Sequence, residues 1–339
     1  MLLARRGVSS LFLALSAFGQ QQPDVRTTVQ LVLIPTSVID ASGNPVEGLE
    51  AGDFQVLADG RVVPHELEPV GQPIALAVAV STDFVSGPAL EKVIQAAPMI
   101  QPLLAGERGQ AAVFRFADNV EQVQPLTSNY DEIVRAFDKL RPEGDAVKML
   151  DAVKQAAEML EKRSPKTRRL LILIGHSRDQ GSQAELADVL QKLQRDNITV
   201  YALTASPTRT AFTVRNSPAK RPKDPVGPSE PPPNVPPFQV GKNMTDLIPL
   251  FRGLGHVGKP TTTQLLADFT GGMTQPFVKQ ETLEKVIQKT SLDIHSHYLL
   301  TITMPGDSGY RFHPLDVRVK RPKVTVRARR GYLGLPGSE

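Results

Sequence analysis

Hydrophobic and polar positions along this chain follow three successive patterns, and their order predicts its organisation. From residue 25 to 70, short alternating runs are broken by turn residues. TTVQLVLIPTSVID reads as extended and β-rich, and Ala41-Ser42-Gly43-Asn44-Pro45 has the chemistry of a turn. Asp59-Gly60 separates two apolar stretches, as the turn of a hairpin would. These 25–70 strands are too few to bury a core alone.

From Pro73 the pattern becomes strand, helix, strand. IALAVAV, residues 74–80, is a continuous apolar run between a proline and a polar loop, which predicts a strand buried on both faces. A helix over 89–104, kinked by Pro98, should follow. Strands 111–116 and 120–125 predict a hairpin over Asp118-Asn119, followed by helices 130–140 and 147–162. In the second helix Met149, Val153, Ala156 and Leu160 recur at helical spacing. Strand 170–174, helix 183–195 and strand 198–203 continue the alternation. It resumes with helix 261–269, stopped by Gly271-Gly272, then strand 273–278 and helix 281–292. Strands 298–304, 315–320 and 324–329 end the chain. The implied fold is α/β, a doubly wound, mainly parallel sheet over 72–293. The flanks 25–70 and 296–333 should pair beside it into one β-sandwich-like module.

Between the two α/β stretches lies a third pattern. Residues 206–242 hold ten prolines and little periodicity, which reads as a loop or linker of polyproline character. A ligand for a proline-binding module is the sharper reading of the same composition.

Composition adds the compartment. Ala4-Arg5-Arg6 precedes a mainly apolar stretch, then Ala17, Gly19 and a polar run, so residues 1–19 read as a secretory signal too short to span a membrane. The expected protein is exported to the periplasm or beyond. The chain has no cysteine, which excludes disulfides, thiolate metal sites, a cysteine nucleophile and a lipid-anchored cysteine. Its net charge is only +4, although eight Lys/Arg face three acidic residues from Pro305 onward. Those charges alternate with Val and Leu, so a solvated strand face is expected; no nucleic-acid-binding motif accompanies them.

With these elements in order, specific phrases resemble the von Willebrand factor A (VWA) domain, and more narrowly the VWA-related proteins of Acidobacteria. They include PIALAVAVSTDFVSG, QPLTSNYDEIVRAFDKLRPEGDAVKMLDAV, RRLLILIGHSRDQGS, ITVYALTAS and LLADFTGGMTQPF. GNPVEGLEAGDFQVLADGR and SHYLLTITMP with RPKVTVRARRGY match the narrower group. The resemblance implies a Rossmann-like VWA fold and a crown of loops at the strand ends. It also implies a site for Mg²⁺ or Mn²⁺ built from Asp-x-Ser-x-Ser, a Thr and an Asp, hard oxygens for a hard cation. Here the first loop reads Ser81-Thr82-Asp83-Phe84-Val85, the Thr position falls near Val147, and the third loop reads Gly175-His176-Ser177. At least three of the five oxygen ligands are therefore replaced. Asp83 with Asp145 or Asp179 is a weaker alternative for Mg²⁺ or Mn²⁺, and His176 would favour a transition metal.

Other chemistry is weighed against blander readings. Gly175-His176-Ser177-Arg178-Asp179 resembles the nucleophile elbow of α/β-hydrolases, but Asp179 stands where that turn needs a small residue. His256, His295 and His297 are available as bases for Ser177 only by count. His295-x-His297, expected at the start of a strand, would put two imidazoles on one face for zinc, without a third ligand. Asp40, Ser42, Asn44 and Asp53 crowd a turn that could seat Ca²⁺, or form ordinary Asx turns. The favoured expectation is a non-catalytic exported scaffold with no cofactor, binding an unidentified protein through its crown. That surface comprises Ser81, Thr82, Asp83, Phe84, Val85, Asp145, Val147, His176, Ser177 and Asp179. A metal-dependent adhesion domain with rearranged ligands is the alternative, and a serine hydrolase using Ser177 a distant third.

Overall fold

The computed structural model describes residues 29–69, 71–205, 260–305 and 311–334. The leader at 1–19 and the proline-rich stretch at 206–242 lie outside the described residues.

Strand β5 (Ile74–Ser81) is buried along its whole length and lies within a six-stranded sheet. Its neighbours are β6 (Gln110–Phe116) on one side and β8 (Arg168–Gly175) on the other, both parallel to it. Beyond β8 come β9 (Ile198–Ala205) and β10 (Thr274–Phe277), also parallel. Beyond β6 lies β7 (Val120–Thr127), antiparallel across the predicted hairpin.

The alternation inside IALAVAV assigns the two faces, because successive strand side chains point opposite ways. Ala75, Ala77 and Ala79 face helices α3 (Met149–Glu161), α4 (Leu186–Arg195) and α5 (Thr262–Thr270). Ile74, Leu76, Val78 and Val80 face α1 (Gly87–Ile100), α2 (Tyr130–Asp138) and α6 (Gln280–Ser296). The small residues meet a helix that is itself small on its inner face, with Ala152, Ala156 and Ala157. Each face is thus covered by helices, the doubly wound arrangement that the sequence pattern implies.

The terminal segments form two four-stranded antiparallel sheets. One runs β13 (Thr325–Ala328), β1 (Val29–Ile39), β11 (Tyr298–Pro305), β4 (Glu66–Leu67). The other runs β14 (Gly331–Leu333), β12 (Phe312–Val319), β2 (Phe54–Ala58), β3 (Arg61–Val63). Val32, Ile34, Phe54, Val56, Leu300, Ile302 and Val317 share one core between the sheets. Strands from the two ends of the chain interleave, so neither segment makes either sheet alone. The β2–β3 turn uses Asp59 and Gly60, both at positive φ, as a two-residue hairpin of this twist requires.

Several boundaries differ from expectation for identifiable reasons. Helix α3 starts at Met149 rather than 147, because Val147 exchanges backbone hydrogen bonds with Gln180. Helix α4 starts at Leu186 rather than 183, because the Asp151 carboxylate takes the backbone N–H groups of Gln183 and Ala184. Helix α1 ends at Ile100 and continues as a wider π-type turn over Gln101–Ala105. Helix α6 runs on to Ser296, which corrects the reading of His295-x-His297 as the start of a strand. Helix α5 ends where predicted, with Gly271 left-handed at its C-cap and close against the backbones of Pro35 and Arg329.

The basic C-terminal stretch also needs correction. Arg311, Arg318, Lys320, Arg321, Lys323 and Arg330 are exposed as expected, but Arg327 and Arg329 turn inward. Arg329 donates to the carbonyls of Leu33 and Gly331, and burial lowers its pKa to about 10.

Candidate functional site: the loop crown

The crown is assembled at the carboxyl ends of β5, β6 and β8, where open α/β sheets place their binding residues. Ser81 ends β5, and its hydroxyl donates to Asp83 Oδ2 at 2.7 Å. Asp83 Oδ1 accepts the backbone N–H of Ser86 at 3.0 Å and faces His176 Nε2 at 3.1 Å. Both carboxylate oxygens are thus engaged, and the residue is 1% exposed. Burial opposes its ionisation, but the hydrogen bonds from His176, Ser81 and Ser86 outweigh it and hold the carboxyl well below the usual carboxylate range. His176 responds the other way: its bond to Asp83 outweighs partial burial and raises its pKa.

The other crown loops lock around this pair. Thr82 is buried; its N–H donates to the Phe116 carbonyl at 2.9 Å, and its own carbonyl accepts from Glu143 N at 2.6 Å. Phe84 N donates to the Gly144 carbonyl. Asp118, in the β6–β7 turn, accepts from the backbones of Asp145 and Ala146. Gly144 sits at positive φ with that carboxylate so close that a Cβ would lie 2.6 Å from it. Gly175 is equally constrained, since its added Cβ would meet Ser81 Cβ at 2.4 Å. Arg115 pairs with both Glu121 and Glu143 and closes the rim.

The structure therefore brings Ser81, Asp83 and His176 into one hydrogen-bonded unit, with Thr82, bonded instead to Phe116 and Glu143, and Phe84 and Val85 beside it. Phe84 and Val85 are 59% and 75% exposed, an apolar pair standing out of a rigid loop. Asp145 is exposed at the rim. Val147 does not belong to the surface: it is buried against α3 and the sheet. Asp179 is occupied as a cap, accepting from Leu150 N in the first turn of α3 and from Ser182 Oγ. Ser177 holds the start of α5 through its carbonyl, which accepts from Thr263. Asp118, Glu143, Gly144 and Asp151 escaped the sequence reading; only the Asp-Asn turn hinted at the first of them.

Of the positions that the resemblance would use for a hard divalent cation, Asp83 already accepts three hydrogen bonds, Asp179 caps a helix, and the side chains of Val85 and Val147 carry no ligand atom. Among the described residues no three His, Asp or Glu side chains gather as a metal site. The turn at Asp40 is an Asx turn, its Oδ1 accepting from Ser42 and Asn44, whereas Asp53 bonds back to Glu50 N. The elbow reading of Ser177 also lacks its parts. Ten residues, 176–185, separate the strand from α4, where an elbow needs a sharp turn. His176 is engaged with Asp83, His295 and His297 lie at the amino end of the sheet, and His256 is outside the described residues.

Residues 85–180 match the family model of the von Willebrand factor type A domain. The chain is similar to a solved von Willebrand factor type A protein of Catenulispora acidiphila, with 10% identity, 93% of this chain and 76% of that one covered, and a TM-score of 0.46. It is also similar to a conserved hypothetical protein, BatB, of Bacteroides thetaiotaomicron, with 13% identity, 64% and 96% covered, and a TM-score of 0.42. An aerotolerance-related membrane protein of Bacteroides fragilis gives 15% identity, 64% and 98% covered, and a TM-score of 0.41. No curated protein matches the chain. Among the described residues no helix is long and apolar enough to cross a membrane. Over residues 85–180 this chain thus matches the von Willebrand factor type A domain, set in a mixed α/β fold whose mainly parallel sheet is the kind that domain uses.

Proposed function

We propose that this is an exported, non-catalytic interaction module of the Acidobacterial VWA-related kind, which binds a protein partner through its crown without a metal. The observation that carries this reading is the contrast at one loop. Asp83 is buried and fully hydrogen-bonded, whereas its neighbours Phe84 and Val85 stand exposed. An aromatic anchor on a preorganised loop loses little entropy on binding, which favours its use as a contact hot spot. The leader-like residues 1–19 support export.

Calorimetric titration with Mg²⁺, Mn²⁺ and Zn²⁺ tests the metal half, with Asp83→Ala as the control. No heat is expected; micromolar binding that Asp83→Ala abolishes would instead favour an adhesion site with rearranged ligands. A photo-crosslinking residue at position 84 tests the partner half in the periplasmic and secreted fractions of the native cell. One discrete adduct is expected there, and none from the same probe at exposed Leu292 on α6.

A further inference from the structure

At the end of the sheet opposite the crown, a cleft of about 350 Å³ opens between the α/β unit and the sandwich. Its wall includes Ile74 and Arg168 from the starts of β5 and β8, Arg108 from the turn before β6, and His295 and His297 from the end of α6. Behind it lies a buried polar cluster. Asp293 accepts from Arg327 and from the Tyr201 hydroxyl at 3.1 Å, and lies 3.0 Å from His297. Burial opposes ionisation of Asp293, but His297 and Arg327 together keep its carboxyl well below the usual range. His297 is wholly buried, and burial outweighs its bond to Asp293, so its pKa falls and the ring is neutral near pH 7.

The charges in this cluster do not cancel. Asp293 is matched by Arg327, which also donates to the carbonyls of Gly271 and Gly272. Arg168 is then left over. Its Nη1 donates to the Ile294 carbonyl at 2.8 Å, and among the described residues no carboxylate lies within ion-pair distance of it. Arg168 is half-buried and the Asp293 charge reaches it only from beyond ion-pair distance, so burial still lowers its pKa, and its planar fork of donors is suited to two oxygens of one anion. Arg108 adds a second cation on the same wall, held by one bond to the Gly71 carbonyl at 2.9 Å. The acidic groups on the wall are Glu68, which accepts from Thr301 Oγ1, and exposed Glu107.

We propose that this cleft is a binding site for a small oxyanion, the carboxylate or phosphate group of a low-molecular-weight ligand, paired with Arg168 and Arg108. Its volume falls at the small end of the range of ligand pockets, about 300–1,000 Å³. The site is independent of the crown, so either reading can fail alone.

The test is calorimetry and thermal denaturation of the full chain in chloride buffer at constant ionic strength, with phosphate, sulfate, succinate and citrate as probes. At least one probe should bind with a submillimolar Kd and raise the Tm; the phosphate and carboxylate arms distinguish the two sources of the anion. Arg108→Ala, at an exposed residue, should weaken binding about fivefold without unfolding the protein. Arg168→Gln should weaken it tenfold or more, and Arg168→Lys should recover only part, because a point charge replaces a fork. Absence of binding by all four probes, or binding that neither Arg108→Ala nor Arg168→Gln weakens, would overturn the assignment.

Discussion

Two Asp–His pairs sit at opposite ends of the same sheet. Asp83 and His176 meet at 3.1 Å in the crown, and Asp293 and His297 meet at 3.0 Å in the core near the sandwich. The His176 side chain keeps 34% of its surface, whereas His297 keeps none. Bonding to a carboxylate raises the first pKa, and burial overrides the same kind of bond to lower the second. A hydrogen-bonded carboxylate therefore does not by itself make an imidazole cationic. Access to water decides, because the charged ring loses more solvation in the core than one carboxylate returns when a guanidinium already claims it.

The largest expected effect breaks the buried pair. Asp293→Ala leaves the Arg327 guanidinium without its carboxylate and removes the charge that acts on Arg168 from beyond ion-pair distance, and should cost about 3–5 kcal/mol in urea unfolding. A loss below roughly 1 kcal/mol, the scale of an exposed pair, would put that cluster on the solvated side of the comparison.

Next comes Gly175→Ala, which strikes the crown pair indirectly. Its Cβ would strike Ser81 and its φ of +138° suits glycine, so about 2–3 kcal/mol should be lost, with the Ser81–Asp83 bond displaced. An unchanged Tm would contradict the tight contact between β8 and β5. Asp179→Ala removes the α3 cap and should cost about 1 kcal/mol, measured the same way.

The pH dependence separates the two histidines by sign. His176 has a folded pKa above its ordinary 6.5, so its stabilisation is complete below pH 6.5 and lost as pH rises through the folded value. His297 has a folded pKa below 6.5, so its contribution holds above 6.5 and is lost as pH falls through the folded value. NMR titration of the imidazole signals should therefore place one midpoint above 6.5 and the other below. Two midpoints on the same side would erase the contrast. Phe84→Ala should have the smallest effect on folding, within about 0.5 kcal/mol, because the ring is exposed.

Much of the α/β architecture was legible because its signals are local. IALAVAV declared a doubly buried strand, and even its small-large alternation names the helix layer on each face. Asp59-Gly60 and Gly271 marked a hairpin and a helix end through backbone preferences that no neighbour needs to supply. The crown was legible as a place, since strand ends bring Ser81, Thr82, Asp83 and His176 together in any fold of this kind. Its internal wiring was not. The partner of Asp118 is a backbone 27 residues away, and that of Asp83 an imidazole 93 residues away, so no periodicity links them. His295 and His297 looked like strand residues because a helix end and a strand start adjoin there.

The sequence by itself determined which segments are strands and helices, which faces they bury and where the loops must cluster. Those choices rest on local sterics and on the burial of apolar surface at a fixed period. Tertiary structure alone decided that Asp83 accepts from three donors, that Asp179 and Asp151 serve as caps, and that Arg327 and Arg329 turn inward from a basic strand. It also decided that Arg168 faces a cleft without a carboxylate partner among the described residues. Charge state and ligand capacity depend on solvent exclusion and on distances of a few ångströms between residues far apart in the chain, and only the assembled fold sets either.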